Sequence, residues 1–349
     1  MRKLAFPFTT ILSTALALCL NAAPAQAQAT RTWVSGVGDD ANPCSRTAPC
    51  KTFPGAISKT ATGGLINCLD PGGFGAVTIT KSITIDCQNT QAGILAAGTN
   101  GITVNGAGVV VILRGLSIEG IGTGLVGVNF IQGSVLEIEH CKIFGFQGGT
   151  AVGIRIAHSA GNAEVYVSDT VLSNNGTGAV GGGIQIRPTG TGSAQVVLNR
   201  VQANNNVFGI AADGSVSTGG INVMVRDSTA NGNTQTGIIA ATGATGTGIM
   251  VDRSAANHNT TGIAASGAGA IVRVGGSSIT GNATGVSGVG VQSYLNNQLT
   301  GNAGGEVFGG KARSSHARTI SQSRQTGEPR RKAPESLRHY GGPLHASAR

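Results

Sequence analysis

Charge is scarce in this 349-residue chain: only 11% of residues are Asp, Glu, Lys or Arg. Long charged helices and coiled coils need far more, so both are excluded. Aromatic residues are 4%, with a single Trp and three Met, which leaves few large side chains to fill a thick core. Past the first two dozen residues no apolar run approaches the roughly 18 residues needed to span a membrane. The six cysteines include no Cys-x2-Cys pair with matching histidines, which argues against a structural zinc site. What the chain has instead is glycine, 57 of them, spread along nearly its whole length.

The glycines are not random. A glycine followed by Ile or Val recurs at Gly101, Gly127, Gly153, Gly183, Gly209, Gly237, Gly262 and Gly285, at spacings of 26, 26, 30, 26, 28, 25 and 23. Such a period means stacked units, none of which can bury its apolar face alone. A column of asparagines keeps the same beat: Asn175, Asn206, Asn233, Asn259, Asn282 and Asn302. A third column, Gly120, Gly145, Asn174, Asn205, Gly232, His258, Gly281 and Gly301, favours left-handed backbone. Between them, Ile154-Arg155-Ile156, Val165-Tyr166-Val167 and Val223-Met224-Val225 alternate with period two, the mark of strands. Parallel strands about 4.8 Å apart would stack the asparagine amides into a hydrogen-bonded ladder. The pattern predicts an all-β chain, a right-handed parallel β-helix of about 9–10 coils over residues 65–310. The regular Ile and Val placement argues against low-complexity disorder.

The ends read differently. Residues 1–27 have the three parts of a secretory signal: Arg2 and Lys3, an apolar stretch from Ile11 to Leu20, and an Ala-x-Ala site with cleavage near Ala27. The expected location is secreted, periplasmic or on the cell surface, with no transmembrane segment in the mature chain. Residues 311–349 carry a net charge of +7 and no repeat; with the +2 of the signal they account for the whole +9. The high pI therefore comes from a tail expected to be disordered, and no specific nucleic-acid partner is implied. In an oxidising compartment Cys44, Cys50, Cys68 and Cys87 are expected to form two bridges, and of the three connectivities local pairing, Cys44–Cys50 and Cys68–Cys87, is preferred. Cys141 falls in the inward column of Leu116, Thr170, Val201 and Ser228 and reads as a buried thiol.

Residues 28–64 form an entry strand, turn and cap. The stretch Trp33-Val34-Ser35-Gly36-Val37-Gly38-Asp39-Asp40-Ala41-Asn42-Pro43-Cys44, followed by Ala48-Pro49-Cys50-Lys51-Thr52-Phe53, resembles the opening of secreted β-helix proteins of the pectin-lyase-like superfamily. The resemblance implies a short capping helix, here Pro54 to Thr60, and the fold already read from the repeat. It does not choose a function, because the superfamily spans lyases, hydrolases, epimerases, tailspikes and uncharacterised surface proteins. The superfamily's polygalacturonase motifs and the calcium-ligating acids and arginine base of its pectate lyases are absent from the sequence. No catalytic residue is assigned, the missing motifs weigh against enzymatic activity without deciding it, and no metal or cofactor is assigned, with calcium left open.

Two surface features remain. Asp169, Arg200, Asp227 and Arg253 alternate in sign along one turn, with Arg226 and Asp252 beside them, as a register-holding ladder would. The outward positions of the strands that open the units collect Asn129, Arg155, Gln185 and Arg187, with His158 near, and these are the candidate ligand-binding residues. Two arginines there would suit an anionic polysaccharide. The leading expectation is a structural or adhesion-like β-helix; a polysaccharide-binding module and a carbohydrate-active enzyme with an unfamiliar site are the alternatives. The sequons at Asn175, Asn259 and Asn282 sit in the inward ladder and are expected to stay unmodified.

Overall fold

The computed structural model describes residues 28–149, 151–178, 181–242 and 246–312. The predicted signal and almost all of the basic tail lie outside these residues. The described chain is a parallel β-helix, coiled right-handed as parallel crossovers are. Its strands form a 12-stranded sheet, a nine-stranded sheet and a six-stranded sheet, the last continued by a two-stranded one. Every strand pair is parallel. No helix among the described residues is long and apolar enough to cross a membrane.

Alternation makes each strand. In Asn162–Ser168, Ala163, Val165 and Val167 are buried while Tyr166 between them is 46% exposed. The same parity holds in register on the neighbouring strands, so the interior is a stack of Val, Ile, Leu and Ala columns. The entry strand Ala29–Val34 is the first strand of the long sheet and pairs with Thr60–Cys68. Between them the helix Phe53–Lys59 closes the first coil, one residue earlier than the sequence suggests. Thr52 Oγ1 accepts from Gly55 N at 3.0 Å, Pro54 sits in the first turn, and Phe53 and Ala56 face the core. Asp40 holds the approach to this cap: Oδ1 accepts from the Lys51 and Thr52 amides and Oδ2 from the Thr52 hydroxyl. Among the described residues Cys44–Cys50 and Cys68–Cys87 form disulfides, and Cys141 is free and buried.

The asparagine column forms the expected ladder and does more than pair amides. Asn175 Nδ2 donates to Asn206 Oδ1 at 3.0 Å, Asn233 to Asn259 at 2.9 Å, and Asn282 to Asn302 at 2.9 Å. Each Oδ1 also accepts the backbone amide of the preceding asparagine, as Asn259 does from Asn233 N at 2.9 Å. The ladder ends on Glu306, whose carboxylate accepts from Asn302 N at 2.8 Å. Asn175, Asn259 and Asn282 are 1%, 4% and 2% exposed, out of reach of a glycan-transferring enzyme.

Two further ladders escaped the sequence reading. Outside the turn, Asn204 Oδ1 accepts from Asn231 N, and Asn231 Oδ1 from Asn257 N. Inside, Thr170, Ser228, Ser254 and Ser277 each take a backbone amide of the coil before, at 3.0–3.3 Å. One position of the left-handed column is corrected. Gly120 is not left-handed; Ile121 carries the positive φ of 43° instead, because the turn there is displaced by one residue. Elsewhere Gly145, Asn174, Asn205, Gly232, His258, Gly281 and Gly301 all have positive φ.

Candidate functional site

The outward column of the nine-stranded sheet runs Thr103, Asn129, Arg155, Gln185, Ala211, Ile239 and Ala264 in unbroken register. Large polar side chains give way to Ala211, Ile239 and Ala264 partway along it, and a groove of about 640 Å³ opens there. Arg155, Gln185 and Arg187 line it, with Asp213 and Thr189, over a floor that includes Ala211 and Ala241. Three of the five candidate residues therefore meet in one depression.

Arg187 donates from Nε to Asp213 Oδ2 at 2.8 Å. Asp213 continues the Arg187 column by one coil, so this face carries a carboxylate beside the arginines that the sequence reading singled out. The signal was present in the 26-residue spacing between the two. Burial, and then repulsion from Arg187, pull the Arg155 guanidinium below the usual arginine range. The groove thus holds two cations and one anion, with the cations close enough to repel.

The other two candidates sit apart from the groove. Asn129, in register with Arg155, is 6% exposed and lies outside the lining; its Oδ1 accepts no hydrogen bond from a described residue. His158 is 2% exposed, with Nε2 2.9 Å from Gly133 O and its ring edge-on to Phe130 at 4.4 Å. It is a core histidine, and burial holds its pKa below the usual value. Its burial continues the period-two alternation one step past the strand, with Ile154, Ile156 and His158 inward and Arg155 and Ala157 between them half-buried.

The alternating charges behave as a ladder. Arg200 clasps Asp169 with both nitrogens at 2.6 Å, and Arg253 clasps Asp227 at 2.9 Å. Arg226 and Asp252 join from the adjoining column at 3.7 Å. Hydrogen bonds from Arg200 and Arg253 hold the Asp169 and Asp227 carboxyls below the ordinary carboxylate range. All four turn residues have φ between 44° and 53°, which swings their side chains clear of the strands. Among the described residues no three His, Cys, Asp or Glu side chains gather as a metal would require. Trp33 and Tyr166 do not line the groove; Trp33 stacks under Arg31 at 5.5 Å, and Tyr166 stands on the long sheet.

Fold and groove together define a right-handed parallel β-helix protein with a basic groove on its nine-stranded sheet. No protein-family model and no curated protein matches the sequence. Among solved structures the chain is similar to a GH136 lacto-N-biosidase from Eubacterium ramulus, with TM-score 0.45 and 13% identity over 76% of this chain. It is also similar to pectate lyase Pel9A, with TM-score 0.44 and 15% identity over 82% of each chain. The chain spans 55% of the biosidase's length.

Proposed function

We propose that the protein is an adhesive, non-catalytic β-helix whose groove binds an anionic polysaccharide through its carboxylates. One observation carries this reading: Arg155 and Arg187 share the groove and repel each other, and the lining sets a single carboxylate, Asp213, beside the two of them. A ligand carboxylate relieves that repulsion and gains charge-assisted hydrogen bonds. A groove open along successive coils suits an extended polymer, since the rungs recur about every 4.8 Å. A secreted or cell-surface location would place the protein among such polymers. The one carboxylate in the lining is engaged by Arg187, which leaves no second acid for a general acid–base pair.

The test is calorimetric titration with polygalacturonate and with a neutral glucan, at two salt concentrations. Polygalacturonate is expected to bind and the glucan not. Arg155→Ala should weaken binding about tenfold or more, because Arg155 is the more buried cation. Arg187→Ala should cost less, since Arg187 is 44% exposed and already paired. The basic tail is common to every variant and cancels in the comparison. Unchanged affinity in the double variant would return the groove to ordinary surface; release of unsaturated uronides would make the protein a lyase.

A further inference from the structure

The long sheet has an outer face that the groove does not use. Its central outward column runs Glu137, Tyr166, Val197, Met224, Met250, Arg273 on successive strands. Four apolar side chains stand in line with an acid at one end and a base at the other. Tyr166 is 46% and Val197 39% exposed, and Met224 and Met250 are half-buried. These are the chain's two internal methionines, so both of its most adaptable apolar side chains stand outside the core. Arg273 takes part in none of the ion pairs among the described residues. Glu137 keeps 29% of its side chain exposed beside Arg114.

The column is complementary to its own reverse. A two-fold axis along the strand direction, between Ser193–Asn199 and Ile221–Arg226, sets Val197 against Met224, Tyr166 against Met250 and Glu137 against Arg273 of the other copy. The flanking columns obey the same operation: Val135 meets Ile271, and Gln195 meets Asn222. On the far side Ser168 meets Asp252 and Asn199 meets Arg226, so no like charges oppose. An isologous interface demands this self-complementarity. We propose that the outer face of the long sheet is the interface of a homodimer, its occupant a second, antiparallel copy of this chain. The eight strands that face each other, from Ile112 to Gln292, span about 34 Å, and at about 20 Å wide they offer about 680 Å² per copy, near the usual size of a stable interface.

Sedimentation equilibrium of the full chain tests this. The wild-type chain is expected to dimerise, with the mass falling to a monomer on dilution. Val197→Glu, at an exposed outward position, should raise the dissociation constant at least about tenfold, with an unchanged circular dichroism spectrum. Glu137→Arg and Arg273→Glu should each be monomeric alone, because each opposes like charges twice. Mixed, they should form a heterodimer, since the introduced arginine of one variant would then face the introduced glutamate of the other, and the native pair would form on the other side. A monomer at every concentration overturns the proposal. So does a dimer indifferent to Val197→Glu, or a failure of the mixed variants to associate. A monomer whose polysaccharide affinity falls with Val197→Glu would put a glycan on this face and equally overturn it.

Discussion

At the scale of single residues, the interior shows how a polar side chain is made acceptable in a β-helix. Cys141 stands in the hydroxyl ladder, and its sulfur does what an oxygen does elsewhere. It accepts from Leu116 N at 3.5 Å and donates to Glu139 O at 3.3 Å. Ser228 makes the same two contacts, from Val201 N at 3.0 Å and to Arg226 O at 2.7 Å. Burial pushes the Cys141 thiol up to about 12, so it is neither a nucleophile nor a metal ligand at neutral pH. Cys141→Ser should therefore cost less than about 1 kcal/mol in urea unfolding, while Cys141→Ala, which strands the Leu116 amide, should cost about 1–3 kcal/mol. Thiol reagents should label the oxidised protein at this position only after unfolding. A larger loss in the serine variant than in the alanine variant would mean that the site wants a hydrophobe.

At the scale of the repeating element, the glycine that opens each coil is needed for closeness. Gly153, Gly183, Gly237 and Gly262 lack positive φ, so an L side chain has no intrinsic difficulty there. A Cβ at each would instead lie 2.6–2.7 Å from the carbonyl oxygen of the equivalent glycine one coil on. At Gly237 it would also approach Asn259 Nδ2 at 2.8 Å and Ala230 O at 2.9 Å, on the asparagine ladder itself. The repeat glycine and the repeat asparagine are thus one device, in which backbones approach because the amides hold them there. Gly237→Ala should lower stability by about 1–3 kcal/mol in denaturant titration, as overpacking does. Gly248→Ala, whose Cβ would meet nothing closer than 3.6 Å, should be near neutral. Equal effects from the two would remove close approach as the cause.

At the scale of the whole molecule, stability depends on pH through groups far apart. His158 is buried with its pKa below the usual 6.5, so the unfolded chain takes up its proton first on acidification. Its contribution is complete above about pH 6.5 and is lost as pH falls below it, by up to about 1.4 kcal/mol per pH unit. Asp169 and Asp227, depressed below the usual 3.8, add a second loss that begins only near that value and continues as pH falls through their folded pKa values. The denaturation midpoint should fall between pH 7 and 5, and His158→Gln should flatten that slope while leaving the steeper fall below pH 4. A slope unchanged in the variant would assign the neutral-pH loss to other groups.

Period was legible and depth was not. The spacing of Gly209 and Gly237, the asparagine column and the alternation of Val223-Met224-Val225 were enough to specify the coil, the inward ladder and the buried Cys141. Each is a local rule repeated, and parallel stacking converts sequence period directly into contact. The same rule by itself brings Arg155 and Gln185 together on one sheet. Carried one step past Ile156, it also turns His158 inward with Ile154 and Ile156. It could not reveal that Asp213 engages Arg187, since a pair across coils depends on which way two long side chains lean. The groove itself, and the facing charges at the ends of the long sheet, exist only once neighbouring coils are in register. Sequence by itself determined which residues recur; tertiary structure decided which of them share a surface, because a surface is made from the offset between coils.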